Sequence, residues 1–498
     1  MFEAFVGGLL AILHVKAFAF MLLGVGLGFG VGLLPGIGGG TTLALLLAFI
    51  YTMQPVEAFA FLLGMHSVVA TTGDITSILF GIPGEATSAA TVVDGYPMAK
   101  RGEAGRALSA ALMSSLVGAL VGAMALALAI PLVRPLVLLF GSPELFMLGV
   151  MGIAFIVSLS GEGARGLIRG FAAGGLGLLC AMVGQDPQVG VLRFTLGQLY
   201  LWDGLDLVPV LVGLFAIPEV VDLAVRGTAI AEAPAGVDLK KGVLEGIRDT
   251  FRHRWLTVRC SLIGTFIGVM PGLGGGVAQW IAYGHAVQSA GDSSRFGKGD
   301  VRGVLGPGAA NNSKEGGALI PTIAFGVPGS SSMAILLGAF LLLGLTPGPD
   351  MLTRHLTLTY SMVWTIVLAN IVTVALSLLF LNHLARLTTI RGSLLIPLLL
   401  VLAFIGSYAT NNHVGDLIVT LVFGAFGYLL VKADWPRAPF VLGLVLGGII
   451  ENYLYISTAR YGAAWLLRPT VLVILGLTAF AIVWPLVRNR RARKRAYG

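Results

Sequence analysis

The chain has little charge. Only 11% of its 498 residues are Asp, Glu, Lys or Arg, against roughly 25% in soluble globular domains. So small a charged fraction cannot cover a water-exposed surface of this size. Cysteine is scarcer still: Cys180 and Cys260 are the only two, both in or beside apolar stretches, which excludes a disulfide framework. The first apolar run, "MFEAFVGGLLAILHVKAFAF", lacks a basic leading region and a small-residue cleavage site, so it reads as retained.

What the chain has instead is apolar length. Hydrophobic residues make up 56% and the mean hydropathy is +0.90. Long runs recur throughout, among them Ala107–Leu132, Leu145–Leu159, Val208–Ala224, Leu358–Phe380, Leu417–Val431 and Thr470–Val487. Several reach the roughly 20 residues that span a bilayer as helix, and the shorter ones suit half-helices or re-entrant hairpins. The expected fold is an all-α polytopic membrane protein of about 10–12 transmembrane helices plus re-entrant hairpins and broken helices.

The net charge of +8 does not indicate nucleic-acid binding, because the basic residues sit between or after the apolar runs and so report topology. The clusters at Leu239–Trp255 and Val487–Gly498, with the smaller loop Lys100–Arg106, are expected on the cytoplasmic side. The tail is expected to touch anionic lipid. These features divide the chain into a first half (1–225), a basic cytoplasmic linker (226–257), a second half (258–487) and a basic tail (488–498).

The two halves repeat each other. Seventy glycines are about twice the ordinary share, and the densest strings are "LLPGIGGGTT" (Leu33–Thr42) and "VMPGLGGGVA" (Val269–Ala278), with Pro35 and Pro271 lying 236 positions apart. A second pair follows in the same order, "FGIPGEATSA" (Phe80–Ala89) and "FGVPGSSSMA" (Phe325–Ala334), offset by 245. Glycine and proline are the poorest helix formers, so each string marks a break. Lipid cannot satisfy unwound backbone, so a break at membrane depth belongs inside protein or beside a water-filled cavity. Half-helix N-termini then face anions, and exposed carbonyls face cations. Breaks at matching positions of two halves point to the central site of a secondary transporter.

After each Pro-Gly come small hydroxylated residues, Gly84-Glu85-Ala86-Thr87-Ser88 and Gly329-Ser330-Ser331-Ser332, the composition of a hairpin tip that opens a helix. Just before the tips lie "ATTGDITS" (Ala70–Ser77) and "GAANNSKEGG" (Gly308–Gly317), polar residues in apolar surroundings. Asp74 stands out as a cation ligand or proton carrier. Asn311, Asn312 and Ser313 offer neutral donors and acceptors, while Lys314 and Glu315 either pair or face water.

These motifs resemble the large membrane subunit of the tripartite tricarboxylate transporters, over essentially the whole chain. The most specific stretches are "LLPGIGGGTT", "TTGDITSILFGIPGEATSAATVVDGYPMAKRGEAGRAL", "PGLGGG" and "GAANNSKEGGALIPTIAFGVPGSSSMAILLGA". The resemblance implies a bacterial inner-membrane permease that works with a smaller membrane subunit and a periplasmic solute-binding protein. It implies import of carboxylates, citrate among them, by symport with Na+ or H+. It also implies kinship with elevator-type transporters built from inverted repeats; the inversion rests on the resemblance alone.

The expected carboxylate site comprises Gly84, Thr87, Ser88, Asn311, Asn312, Gly329, Ser330 and Ser331. The expected cation site comprises Gly36, Gly38, Thr41, Asp74, Gly272, Gly274 and Gly276. No other cofactor and no resident metal is expected. Neither Gly-rich string is followed by the Gly-Lys-Ser/Thr of a nucleotide loop, so ATP use is not expected of this chain. His66, His285, His355, His383 and His413 have no close ligand spacing and read as packing or interfacial residues. Asn411, Asn412, Asp416, Glu451 and Asn452 read as loop or scaffold positions. The rival readings are an uncoupled channel, a membrane scaffold and an intramembrane enzyme. The last is the weakest, because "GSSSM" lacks a nucleophile elbow and a matched base.

Overall fold

The computed structural model describes residues 1–33, 38–159, 163–186, 188–226, 239, 241–271, 274–381 and 395–496. Among them the chain is mostly helical, and the sheet is limited to one antiparallel ribbon, Gly184–Gln185 against Leu192–Arg193. The helices are α1 (Phe2–Leu13), α2 (Val15–Gly32), α3 (Gly39–Leu46), α4 (Pro55–Phe80), α5 (Ala89–Lys100), α6 (Ala104–Val137), α7 (Ser142–Leu159), α8 (Gly163–Ala181), α9 (Leu207–Leu211) and α10 (Ile217–Arg226). The remainder are α11 (Val243–Arg252), α12 (Arg254–Val269), α13 (Gly274–Gln288), α14 (Arg302–Phe325), α15 (Ser331–Leu342), α16 (Leu356–Leu379), α17 (Leu395–Tyr408), α18 (Val414–Lys432), α19 (Arg437–Tyr461) and α20 (Pro469–Ala496).

Six of these, α2, α4, α6, α16, α18 and α19, are long and apolar enough to cross a bilayer. Shorter apolar helices accompany them, including α1 and α15. An all-α membrane protein is therefore what the described residues form. Part of the expected linker is helix: α11 lies within 226–257 and packs on α6, where Arg106 Nε donates to Asp249 Oδ2 at 2.7 Å. Gly36, Gly272 and His383 lie outside the described residues, as do positions 227–238, 240, 497 and 498.

Two buried helices form the centre. α4 begins at Pro55, whose missing N–H suits a first turn, and Gln54 with Glu57 makes a reciprocal cap. It ends at Gly81, held left-handed at φ 69°, a conformation that costs glycine nothing. α14 ends in the same way at Gly326, φ 66°. α2 and α16 pack along α4, and α6, α12 and α13 pack along α14. α14 is 24 residues long, but its stretch "GAANNSKEGG" keeps it out of the apolar set, and surrounding helices bury it instead.

Glycine sets how closely these helices approach. A Cβ on Gly28 would lie 2.6 Å from the Met65 carbonyl oxygen, and one on Gly264 would lie 2.5 Å from that of Ala310. One turn further, Gly32 faces the Val69 carbonyl and Gly268 the Lys314 carbonyl. Small residues at such crossings supply the van der Waals contact that associates helices in lipid. The α2–α4 contact of the first half thus recurs, residue for residue at the repeat offsets, as the α12–α14 contact of the second.

Candidate functional site

Most hydroxyls in "ATTGDITS" turn out to be satisfied within α4. Thr71 and Thr72 donate to the carbonyls of Ser67 and Val68 at 3.2 and 2.9 Å, and Thr76 and Ser77 both donate to Gly73 at 3.0 Å. Such back-bonding removes the need for an outside partner. Asp74 has no such partner. It is 1% exposed, and neither carboxylate oxygen accepts a hydrogen bond among the described residues. The side chains of Thr91 and Asn311 flank it, and Thr91 Oγ1 and Asn311 Oδ1 are likewise buried and unpartnered. A surplus of buried acceptors is the arrangement that a cation or a proton relieves.

Asn311 and Asn312 tie the central helices together. Asn311 Nδ2 donates to the Ala70 carbonyl at 2.7 Å, and Asn312 Nδ2 donates to Thr71 Oγ1 and Asn370 Oδ1, both at 2.6 Å. α4, α14 and α16 are joined by these bonds. Lys314 and Glu315 pair rather than face water: Lys314 Nζ lies 2.6 Å from Glu315 Oε1, and Glu315 Oε2 lies 3.2 Å from His66 Nε2. All three residues are buried. His66 is therefore more than packing; its contact with Glu315 ties α4 to the Lys314–Glu315 pair of α14.

The breaks and tips meet beside this chain. The Gly39 N–H, at the start of α3, donates to Glu85 Oε1 of the first tip, and Thr87 Oγ1 donates to Glu85 Oε2 at 3.1 Å. Ser88 Oγ accepts from the Glu85 N–H at 3.2 Å. A Cβ on Gly39 would lie 3.1 Å from His66 Nδ1, and one on Gly40 would lie 3.6 Å from Ser332 Oγ of the second tip. A Cβ on Gly275, at the second break, would lie 2.6 Å from both Lys314 Nζ and Thr87 Cγ2. Both breaks and both tips thus converge on one polar junction between α4 and α14.

The other expected residues fall around it. Gly84 is pressed against Gly73 of α4, and Gly329 against Ala318 of α14, matching positions of the repeat. Ser330 caps α15, accepting the Met333 N–H at 3.3 Å, and Ser331 is exposed. Gly38 caps α3, Thr41 is buried within it, and Gly274 and Gly276 lie in the first turn of α13. Sequence reasoning did not assign Glu85, His66 or Lys314 to the site. An ionisable pair inside an apolar run was the available signal. A separate cleft of about 530 Å³ between α1, α6 and α16 is lined by apolar groups such as Phe2, Met124 and Trp364 and lacks the convergent polar groups of a binding site. The late polar positions serve the scaffold: Arg193 Nη1 donates to Glu451 at 2.5 Å, Gln188 to Asn452 at 2.8 Å, and Tyr200 to Asp416 at 2.7 Å.

This geometry joins what comparison with known proteins finds. A sequence model described as the tripartite tricarboxylate transporter TctA family matches residues 18–442. The chain belongs to the TctA family. It is therefore a tricarboxylate transporter component, from a family of transporters rather than enzymes. A relative in Agrobacterium vitis, called an uncharacterized 52.8 kDa protein in the TAR-I ttuC' 3' region, is 33% identical over 432 residues, 87% of this chain and 85% of the relative. A second from Agrobacterium vitis, an uncharacterized protein in the TAR-II ttuC' 3' region, is 31% identical over 234 residues, 46% of this chain and 97% of the relative. No solved structure matches.

Proposed function

We propose that this chain is the large permease subunit of an ion-gradient-driven, binding-protein-dependent importer of tricarboxylate or related carboxylate anions. It works in a bacterial inner membrane beside a smaller membrane subunit and a periplasmic solute-binding protein. The observation that carries this reading is the convergence of Gly39, Gly40 and Gly275 with Glu85, Thr87 and Ser332 at one partly buried junction. Helix starts, hydroxyls and an ammonium meet there, the donor set that suits carboxylate oxygens.

The anion sits between the tips, near Gly84, Thr87, Ser88, Gly329, Ser330 and Ser331, with Asn311 and Asn312 behind. The coupling cation, Na+ or H+, is taken at Asp74, beside Thr91 and Asn311; Gly38, Thr41, Gly274 and Gly276, expected as carbonyl ligands, instead lie at the starts of α3 and α13, where the free backbone groups are N–H donors and suit the anion. Binding both together lowers the charge that must cross hydrocarbon. The recurrence of the Gly28–Met65 contact as Gly264–Ala310 supports two structural repeats, which we take to be inverted and to carry the site across the membrane as an elevator.

Reconstitution tests the reading. Proteoliposomes holding the protein with its small subunit and binding protein should accumulate labelled tricarboxylate only under an imposed Na+ or H+ gradient. Gradient-independent flux would indicate a channel, and cleavage of an added polypeptide would indicate an enzyme; either overturns the proposal.

A further inference from the structure

In the first half the chain holds a carboxylate of its own. Glu85 Oε1 accepts the Gly39 N–H at the start of α3, Oε2 accepts the Thr87 hydroxyl, and His66 Nδ1 lies close by. A carboxylate at a helix start beside a glycine break is favoured by free N–H groups and by the helix dipole.

The second half repeats the cradle without its occupant. At the repeat offsets Gly39 corresponds to Gly275, Leu43 to Gln279, Glu85 to Ser330 and Val69 to Lys314. Ser330 is too short to reach across and uses its Oγ to accept the Met333 N–H. Beside Gly275 lies the Lys314 ammonium, with Thr87 against it. Among the described residues Glu315 is its one ion-pair partner, although an ammonium carries three donors. Gln279 stands one turn along α13 from Gly275, on the same face. It is fully buried, and neither Nε2 nor Oε1 has a hydrogen-bond partner among the described residues. A buried polar group left unpaired calls for a ligand or an ion to explain it.

We propose that this second cradle, the first turn of α13 with Gln279, Lys314 and Thr87, binds one carboxylate of the transported anion. That carboxylate takes the place which the Glu85 carboxylate takes in the first half. The inference rests on the reading of the protein as a carboxylate importer and names where one end of the substrate is read. Lys314 then bridges Glu315 and the substrate, while His66 keeps Glu315 in position, so binding adds a counter-ion without stranding one. The Gln279 amide supplies a donor at a spot where the first half has leucine.

Two substitutions copy the first half into the second. Ser330→Glu tethers a carboxylate over the cradle; the reconstituted complex should keep its gel-filtration profile and lose at least about tenfold in uptake, as well as thermal stabilisation by substrate. Gln279→Leu removes the amide at nearly constant volume and should raise KM for carboxylate about tenfold, with the maximal rate kept. In a chain whose two native cysteines are replaced by Ala, Lys314→Cys should be inactive and regain uptake with an aminoethylating reagent but not with a neutral one of equal size. Wild-type KM in both Ser330→Glu and Gln279→Leu overturns the cradle and leaves carboxylate import standing. If Ser330→Glu does not fold, Gln279→Leu alone decides. If the unaltered complex imports no carboxylate under any gradient, the functional reading itself fails.

Discussion

Removing Glu315 should damage this protein more than removing Lys314, and removing both should damage it least. Glu315 is 3% exposed and has two partners, Lys314 Nζ at 2.6 Å and His66 Nε2 at 3.2 Å. Lys314 is 6% exposed and has, among the described residues, the single ionic partner Glu315. Breaking a buried pair costs about 3–5 kcal/mol because one charge is left uncompensated. Glu315→Gln leaves an ammonium facing a neutral amide and should fall at the upper end, about 5 kcal/mol. Lys314→Met leaves a carboxylate that His66 still holds, and should cost about 3 kcal/mol. In Lys314→Met/Glu315→Gln no charge is stranded, and such replacements are often close to neutral, within about 1 kcal/mol. The assay is thermal inactivation in detergent, followed by size-exclusion fluorescence, which ranks the variants without requiring reversible unfolding. Equal half-lives for Glu315→Gln and wild type would refute the reasoning, since they would mean that Lys314, Glu315 and His66 are not a buried coupled set.

Asp74→Asn should fold normally and raise the cation concentration for half-maximal uptake by about tenfold, the loss of one charge-assisted contact; an unchanged cation dependence removes Asp74 from the coupling site. Ser330→Ala/Ser331→Ala should weaken uptake with expression intact, and wild-type uptake in that variant takes both serines out of the substrate site. Cysteines at Lys100 and Thr346, both exposed and each following a Pro-Gly tip, should be labelled by an impermeant thiol reagent from opposite sides of the membrane. Labelling of both from one side would count against inverted repeats.

Much of the architecture was readable because the bilayer imposes it. Apolar length marked α6, α16 and α18, and paired Gly-Pro strings marked where chain breaks and tips lie, since few residue types tolerate those conformations. The polar interior was less readable. Thr71, Thr72, Thr76 and Ser77 stood out only as polar residues in an apolar run; each donates to a carbonyl of its own helix, a choice that spacing alone does not reveal. His66 looked like packing because its partner, Glu315, is 249 positions away. Glu85 lay in plain view in the first tip, but only the folded chain shows that its carboxylate returns 46 positions to Gly39. Contacts between distant segments decide the site, and helical periodicity within one segment carries no information about them.

The two halves share a backbone plan and differ where chemistry is needed. Gly28 and Gly264, Gly81 and Gly326, and Gly84 and Gly329 keep the same close approaches and turns, so the frame of breaks and tips is common to both. Around that frame Glu85 corresponds to Ser330, His66 to Asn311, Val69 to Lys314 and Leu43 to Gln279 at the repeat offsets. Two of these exchanges, Glu85 for Ser330 and Val69 for Lys314, move the junction of the second half toward positive charge. The first half brings its own carboxylate, held by the Gly39 N–H and the Thr87 hydroxyl, and so presents a filled cradle. The second half brings an ammonium whose ion-pair partner among the described residues is Glu315, and an amide that has no hydrogen-bond partner among them. A site made of two identical halves would either repel its substrate with two glutamates or hold it with two lysines too firmly to release. If the second cradle takes the substrate as proposed, with Glu85 closing the first, the substrate meets one fixed counter-ion, Lys314, that is already paired with Glu315. A partly neutralised counter-ion is what a carrier needs, since it must bind an anion on one side of the membrane and give it up on the other.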